Sequence, residues 1–252
     1  MMLTRENYHS IEARKQYMGA SQFKDFLDCE ARALAIINGE YVQQSDAFLA
    51  GHYLDAHFEG TLDIFRAQHP EMFLKSKPGV LLDKYRRIEE CINTIENDPV
   101  MLDLCSGEQQ KIMTGEIAGV PFKIMIDSYH SDKTVDRKAM ADFKDKYSEA
   151  EGTYVPWWKA YRYDIQAAIY TEIRRQNEGK TVPFDLVAIS KEPVPDKAWA
   201  RFSPEYLERV LEEIKRLAPK FQAIKDGFFD AGACGECDFC KAKKRLTQPE
   251  II

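Results

Sequence analysis

The residues of this chain best equipped for chemistry are Asp136 and Lys138, in the run Thr134-Val135-Asp136-Arg137-Lys138-Ala139-Met140. Side chains on a β-strand alternate with a period of two, so an acid and a lysine two apart project from one face while Val135 and Arg137 project from the other. Nine residues before Asp136, the stretch Phe122 to Asp127 reads as a second strand ending in an acid. If the two strands pair through the polar turn Ser128 to Lys133, Asp127 and Asp136 meet at one end of a sheet. Carboxylate oxygens are hard donors suited to magnesium, or to manganese. Such an ion makes a nucleophile of its water, and a neighbouring lysine orients that water or stabilises charge. This combination suits hydrolysis of a phosphodiester. Asp-x-Lys is also common as a surface ion pair on exposed strands, so its meaning rests on its surroundings.

The second concentration of reactive groups is Cys234-Gly235-Glu236-Cys237-Asp238-Phe239-Cys240, a Cys-x2-Cys-x2-Cys pattern. Two residues between cysteines let successive thiolates converge, and three in a row typify iron–sulfur sites. Zinc more often takes two separate Cys-x2-Cys pairs. The spacing therefore predicts a 4Fe-4S cluster, with Zn2+ as the alternative. The ferredoxin pattern would put a fourth cysteine at position 244, which is Lys244, so the fourth ligand must be remote: Cys29, Cys91 or Cys105. Cys91 falls on an apolar helical stripe, where a buried thiol is ordinary packing.

Gln166 and Tyr170, four apart, share a helical face with Tyr163 and Arg174. Behind an acid-and-lysine sheet, such a face can meet a phosphate or the flanking strand. Trp157 and Trp158 offer flat rings of the kind that stack on bases. Trp158 falls on the apolar stripe and reads as core, whereas Trp157 reads as part of the loop entering the helix and so as a candidate substrate contact.

The elements that must position these groups follow from periodicity. Apolar residues at helical spacing run from Ser21 to Ile37, a second helix is predicted from about Asp46 to Phe65, and a third over Leu81 to Asn97. Lys111 to Phe122 reads as strand, turn, strand, with Gly119 and Pro121 marking the turn; with the strand at 134-140 this makes a three-stranded meander. A helix over Trp157 to Arg175, a strand over Pro183 to Ser190 and a long amphipathic helix from Pro204 to about Ile224 follow. The order predicts a mixed α/β fold, organised as a single domain over 1-252. Its core spans about 46-190, and the N-terminal helix packs with the C-terminal helix and cysteine segment, 203-245.

Composition sets bounds. With 252 residues, 44% hydrophobic and 30% charged, the chain is long enough for a substantial core and ordinary for a globular protein. Its apolar runs are too short to span a membrane. The N-terminus lacks the apolar stretch of a signal peptide. A cytoplasmic protein is expected, in which six cysteines are thiols or metal ligands. The net charge of −6 does not favour non-specific nucleic-acid binding, although basic patches such as Lys241, Lys243, Lys244 and Arg245 can serve it locally.

Taken in order, Asp127, Asp136, Lys138 and then Gln166-x-x-x-Tyr170 resemble the PD-(D/E)xK nuclease superfamily. The chain is most similar to its RecB-type branch, and within that to phage-type exonucleases related to exonuclease VIII (RecE). Met18 to Glu30 resembles that group's N-terminal cysteine segment, and Gly51 to Gly60 its first core helix. The resemblance implies a restriction-endonuclease-like core and a metal-dependent deoxyribonuclease that digests linear double-stranded DNA from an end, in recombination or repair. It makes Asp127 and Asp136 magnesium ligands and Lys138 the catalytic lysine, with Gln166 and Tyr170 supporting them. Many relatives carry a histidine where this chain has Asp55, which makes Asp55 the expected third ligand. His52 and Glu59 share its helical face and His57 does not. Relatives often have glycine at Ile124. RecB-type nucleases with a cluster draw one cysteine from near the N-terminus, which selects Cys29 to complete the set with Cys234, Cys237 and Cys240. Relatives also commonly work beside a strand-annealing protein, and oligomers are possible. The competing expectations are a single-strand exonuclease like the CRISPR-adaptation nucleases, a DNA-binding protein that retains the fold without catalysis, and a zinc module with an incidental Asp-x-Lys.

Overall fold

In the computed structural model, described over residues 1–42, 45–77, 79–149 and 151–245, the two strands carrying the acids diverge. β1 (Glu108–Ile117) and β2 (Val120–Tyr129) form a long antiparallel hairpin. Ala118 and Gly119 both have positive φ, 51° and 78°, the backbone of a two-residue turn whose twist matches the strands it joins. Pro121 lies inside β2, opposite Glu116, rather than in the turn. β3 (Thr134–Met140) pairs with β2 only at Ser128↔Val135 and Tyr129↔Thr134. Beyond those pairs the strands part. The edge of β2 thus exposed is taken up near its start by Met18, whose N–H donates to Pro121 O and whose carbonyl accepts from Lys123 N–H. On its other side β3 runs parallel to β6 (Phe184–Ser190), which pairs antiparallel with β7 (Lys197–Arg201). The five-stranded mixed sheet therefore has the order β1-β2-β3-β6-β7, and β4 (Lys146–Ser148) with β5 (Thr153–Val155) makes a separate small hairpin.

Helices cover both faces. On one, α2 (Ala20–Asp28), α9 (Tyr163–Glu178) and α10 (Pro204–Lys225) pack Phe23, Ile169, Ile173 and Phe221 against Phe122, Ile124, Ile126 and Leu186. On the other, α4 (Asp46–Phe58) and α6 (Asp83–Glu96) pack Tyr53, Leu54, Ile88 and Ile92 against Val135, Val187 and Ile189. Shorter helices complete the described chain: α1 (Ile11–Gln16), α3 (Glu30–Ile37), α5 (Leu62–Gln68), α7 (Pro99–Cys105), α8 (Trp157–Ala160) and α11 (Asp238–Lys243). A 3-10 turn at Pro70–Met72 lies between α5 and α6.

The mixed α/β architecture matches the expectation, but three predicted helices are broken. The stretch 21-37 divides at Cys29, which is extended (φ −164°, ψ 110°), into α2 and α3. The stretch 46-65 ends α4 before Gly60, whose φ of 72° few residues other than glycine adopt readily. The stretch 157-175 divides at Arg162, left-handed at φ 53°. This last break re-phases the tryptophans. Trp157 is buried against Phe143 and Tyr163, while Trp158 is half-buried beside Phe202 and Tyr206. The expectation of Trp157 as a substrate contact from an entry loop is therefore corrected: it begins α8 and is buried. Its ring is a core group.

Candidate active site and cysteine centre

The fork between β2 and β3 determines where the acids lie. Where the ladder stops, the Arg137 N–H has lost its strand partner, and Asp127 Oδ2 accepts it at 3.0 Å. Asp136 and Lys138 point together toward α9, as strand alternation requires, with Lys138 Nζ 2.6 Å from Asp136 Oδ2. Lys138 also donates to the Arg137 carbonyl at 3.1 Å. From α9, Gln166 Nε2 donates to the other carboxylate oxygen of Asp136 at 2.6 Å. Tyr170 donates its hydroxyl to Met125 O at 3.0 Å. Tyr163 donates to Met140 Sδ, and its ring lies under the ammoniums of Lys138 and Lys24. Gln166 and Tyr170 thus reach the site, but their donors are engaged by Asp136 and by the β2 backbone rather than aimed at open space. Arg174, on the same helical face, is fully buried at the β2–β3 turn, where it donates to His130 O, Lys133 O and Thr134 Oγ1.

Asp55 approaches from α4, on the Arg137 side of the sheet. Arg137 Nη2 lies 3.4 Å from Asp55 Oδ1, and its Nη1 donates to Gln109 Oε1 at 2.7 Å. Arg137 thus serves two of the acids, Asp55 through its guanidinium and Asp127 through its backbone N–H, while Asp136 pairs with Lys138. Burial, together with repulsion from Asp127, pushes Asp55 up to about 7 against the opposing pull of Arg137. Burial and Asp127 likewise push Asp136 up to about 6 against the pull of Lys138. Asp127 is the neighbour that both feel. Burial alone would lower the Lys138 ammonium, but Asp136 and Asp127 outweigh it and hold it above its ordinary value.

A cleft of about 650 Å³ opens onto Asp55, Asp127, Gln166 and Tyr170. His52 and Glu59 line it, as their helical face implied, whereas His57 lies outside and meets Glu96 at 2.8 Å. Sequence reasoning missed several residues here. Arg5, Tyr8, His9 and Lys123 also line the cleft, and the segment carrying the first three has no periodicity to reveal it. Lys24, also overlooked, is lowered to about 8 by burial and by Lys138, with Asp136 opposing.

Burial raises the Asp55 and Asp136 carboxyls, and hard oxygen donors of this kind fit a divalent cation.

The cysteine centre lies apart from the cleft. Cys29, in the break between α2 and α3, meets the C-terminal loop, and the sulfurs of Cys29, Cys234, Cys237 and Cys240 all lie within 4.8 Å of one another. The remote ligand expected at Cys29 is in place. Cys91 is on the buried face of α6 and donates to Ser190 O, and Cys105 is buried at the end of α7. The Cys237 N–H donates to Cys234 Sγ at 3.3 Å, and this bond, with a second from the Glu236 backbone, pulls the Cys234 thiol down to about 6.

A mixed sheet forked between two acid-bearing strands, with a lysine two residues past the second acid, defines a PD-(D/E)xK-type protein. The family model described as "PDDEXK-like domain of unknown function (DUF3799)" matches residues 19–243, and the chain belongs to that family. It is also similar to a crystal structure from Eubacterium rectale described as a "Putative exonuclease", at 36% identity and a TM-score of 0.94, covering 100% of this chain and 97% of that one. No curated protein matches.

Proposed function

We propose that this chain is a cytoplasmic, divalent-metal-dependent deoxyribonuclease, working as a single domain, that hydrolyses linear double-stranded DNA from an end. The observation that carries this reading is the fork, which sets Asp127 on a cleft shared with Asp55 and Gln166, and Asp136, paired with Lys138, behind Gln166. The exonuclease description of the E. rectale structure supports cleavage from an end. The expected setting is phage-type recombination or repair beside a strand-annealing protein.

Asp55, Asp127 and Asp136 would hold magnesium or manganese, which when bound supplies a nucleophilic water and neutralises phosphate charge. Lys138 remains an ammonium at neutral pH, because its acidic neighbours hold it charged. It can hydrogen-bond the attacking water or the developing charge on the phosphate. Gln166 fixes the orientation of the Asp136 carboxylate and keeps its outer oxygen turned toward Lys138. Tyr170 anchors the β2 backbone one residue before Ile126 and two before Asp127. Both act through their neighbours as positioning residues. Arg5, Arg14 and Lys123, along the cleft, supply positive charge to a phosphate backbone.

The test is digestion of end-labelled linear duplex, closed circular duplex and single-stranded DNA with magnesium or manganese, using Lys138→Ala as control. Loss of the linear duplex alone, abolished in the variant, is the expected result. Selective loss of the single strand would move the substrate to single-stranded DNA. Binding without cleavage in all three would replace the enzyme by a DNA-binding protein.

A further inference from the structure

We propose that Cys29, Cys234, Cys237 and Cys240 bind one tetrahedral zinc ion, not an iron–sulfur cage, and that the ion fastens the C-terminal loop to the α2–α3 junction. The argument is one of distance. Cys240 Sγ lies 3.5 Å from Cys29 Sγ and 3.9 Å from Cys234 Sγ, and the four sulfurs all lie within 4.8 Å of one another. Four thiolates at the corners of a tetrahedron, bonded to one zinc at about 2.3 Å, stand about 3.8 Å apart. A 4Fe-4S cage carries each thiolate on a different iron, outside the cube, and spreads the sulfurs to roughly 6 Å. The donors do not fit the cage that their sequence spacing suggests.

Protein contacts bring the C-terminal segment to the α2–α3 junction. Cys240 is buried with Phe239 against Ala35 and Cys29. Phe239 packs edge-on against Tyr41 and lies under the Lys243 ammonium. Next to Cys29, Glu30 accepts the Gly232 N–H at 2.9 Å and pairs with Lys220, while the Ala31 N–H donates to Gly232 O. Gly235, at φ 80°, bends the loop so that the Cys237 N–H meets Cys234 Sγ. A disulfide does not account for the arrangement either. It would need a pair of sulfurs at about 2.05 Å, and all four cysteines are free.

This inference is independent of the nuclease reading. It also links the two sites, because Cys29 ends the helix that presents Gln22 and Asp25 to the cleft. The test is elemental analysis of protein purified without oxygen and without chelator, with acid-labile sulfide measured on the same sample. The expected result is one zinc per chain, no sulfide and no visible absorption. Cobalt exchanged into the site should give the intense visible bands of a tetrahedral thiolate complex. Both signals should disappear in a Cys29→Ser/Cys240→Ser variant and persist in Cys91→Ser, whose thiol lies elsewhere. Iron with stoichiometric sulfide would overturn the proposal. So would zinc retained in the double variant, or wild-type protein that takes up neither zinc nor cobalt.

Discussion

The carboxylate cleft and the cysteine centre both gather groups that repel one another when ionised, and they solve that problem in opposite ways. At the carboxylate site, Asp55 comes from α4 and Asp127 and Asp136 from two strands of the sheet, and each already has a protein partner. Their places are set by the buried core, and burial, with Asp127 nearby, raises the Asp55 and Asp136 carboxyls. At the cysteine centre three of four donors come from the short segment 234-240, with Cys234 exposed and Cys240 buried in α11, and local backbone N–H groups favour the Cys234 thiolate. In the cleft the fold organises the donors; at the cysteines the ion is expected to organise the fold. A site that must admit and release substrate suits the first arrangement, and a staple suits the second.

The sharpest test of that contrast is to remove charge from the cleft. Asp136→Asn and Lys138→Ala should each lower DNA hydrolysis about 10³-fold with melting temperatures close to wild type, read by initial rates and thermal melts. Variants that unfold instead would show that the cleft is not organised by the core. Removing the ion from the cysteine centre should do the reverse. Cys29→Ser/Cys240→Ser should lose about 3 kcal/mol of stability, a fall in melting temperature of about 10 °C, with any loss of activity following the loss of structure. Next in size is Gln166→Ala, which leaves all three acids in place but frees Asp136 to rotate. The magnesium concentration for half-maximal cleavage should rise about 10-fold, and an unchanged requirement would remove Gln166 from the metal's support.

The smallest effect is in pH. Asp136 and Asp55 bind protons more tightly folded than unfolded, with folded values of about 6 and 7. Protonation therefore stabilises the metal-free protein. That contribution is present in full below pH 4 and is lost as pH rises through 6 to 7. Magnesium competes with those protons, so its stabilising effect should grow over the same interval. Denaturant melts with and without magnesium at pH 5 and pH 8 should show the two trends crossing, and Asp55→Asn should flatten both.

Much of the architecture was legible because it depends on local order. Strand alternation put Asp136 and Lys138 on one face, the turn residue Gly119 marked the β1–β2 hairpin, and the amphipathic stripe of α10 ran close to its predicted bounds. What failed was also local in appearance. Cys29 and Arg162 break helices through backbone angles that neither residue type advertises, and the second break exchanged the environments of Trp157 and Trp158. β7 and the β4–β5 hairpin are too short for periodicity to register.

By itself, the sequence determined which donors are available: an acid and a lysine paired by alternation, a second acid one strand away, and three cysteines that must converge because only two residues separate each from the next. Only the tertiary structure decided who meets whom. The contact of Arg137 with Asp55 joins residues 82 apart in the chain, and that of Cys29 with Cys240 joins residues 211 apart. The fork that turns Asp127 toward the Arg137 N–H exists because β3 leaves β2 after two pairs to run beside β6. Such contacts follow from how buried faces pack on one another, and that packing is a property of the whole core rather than of any stretch of chain.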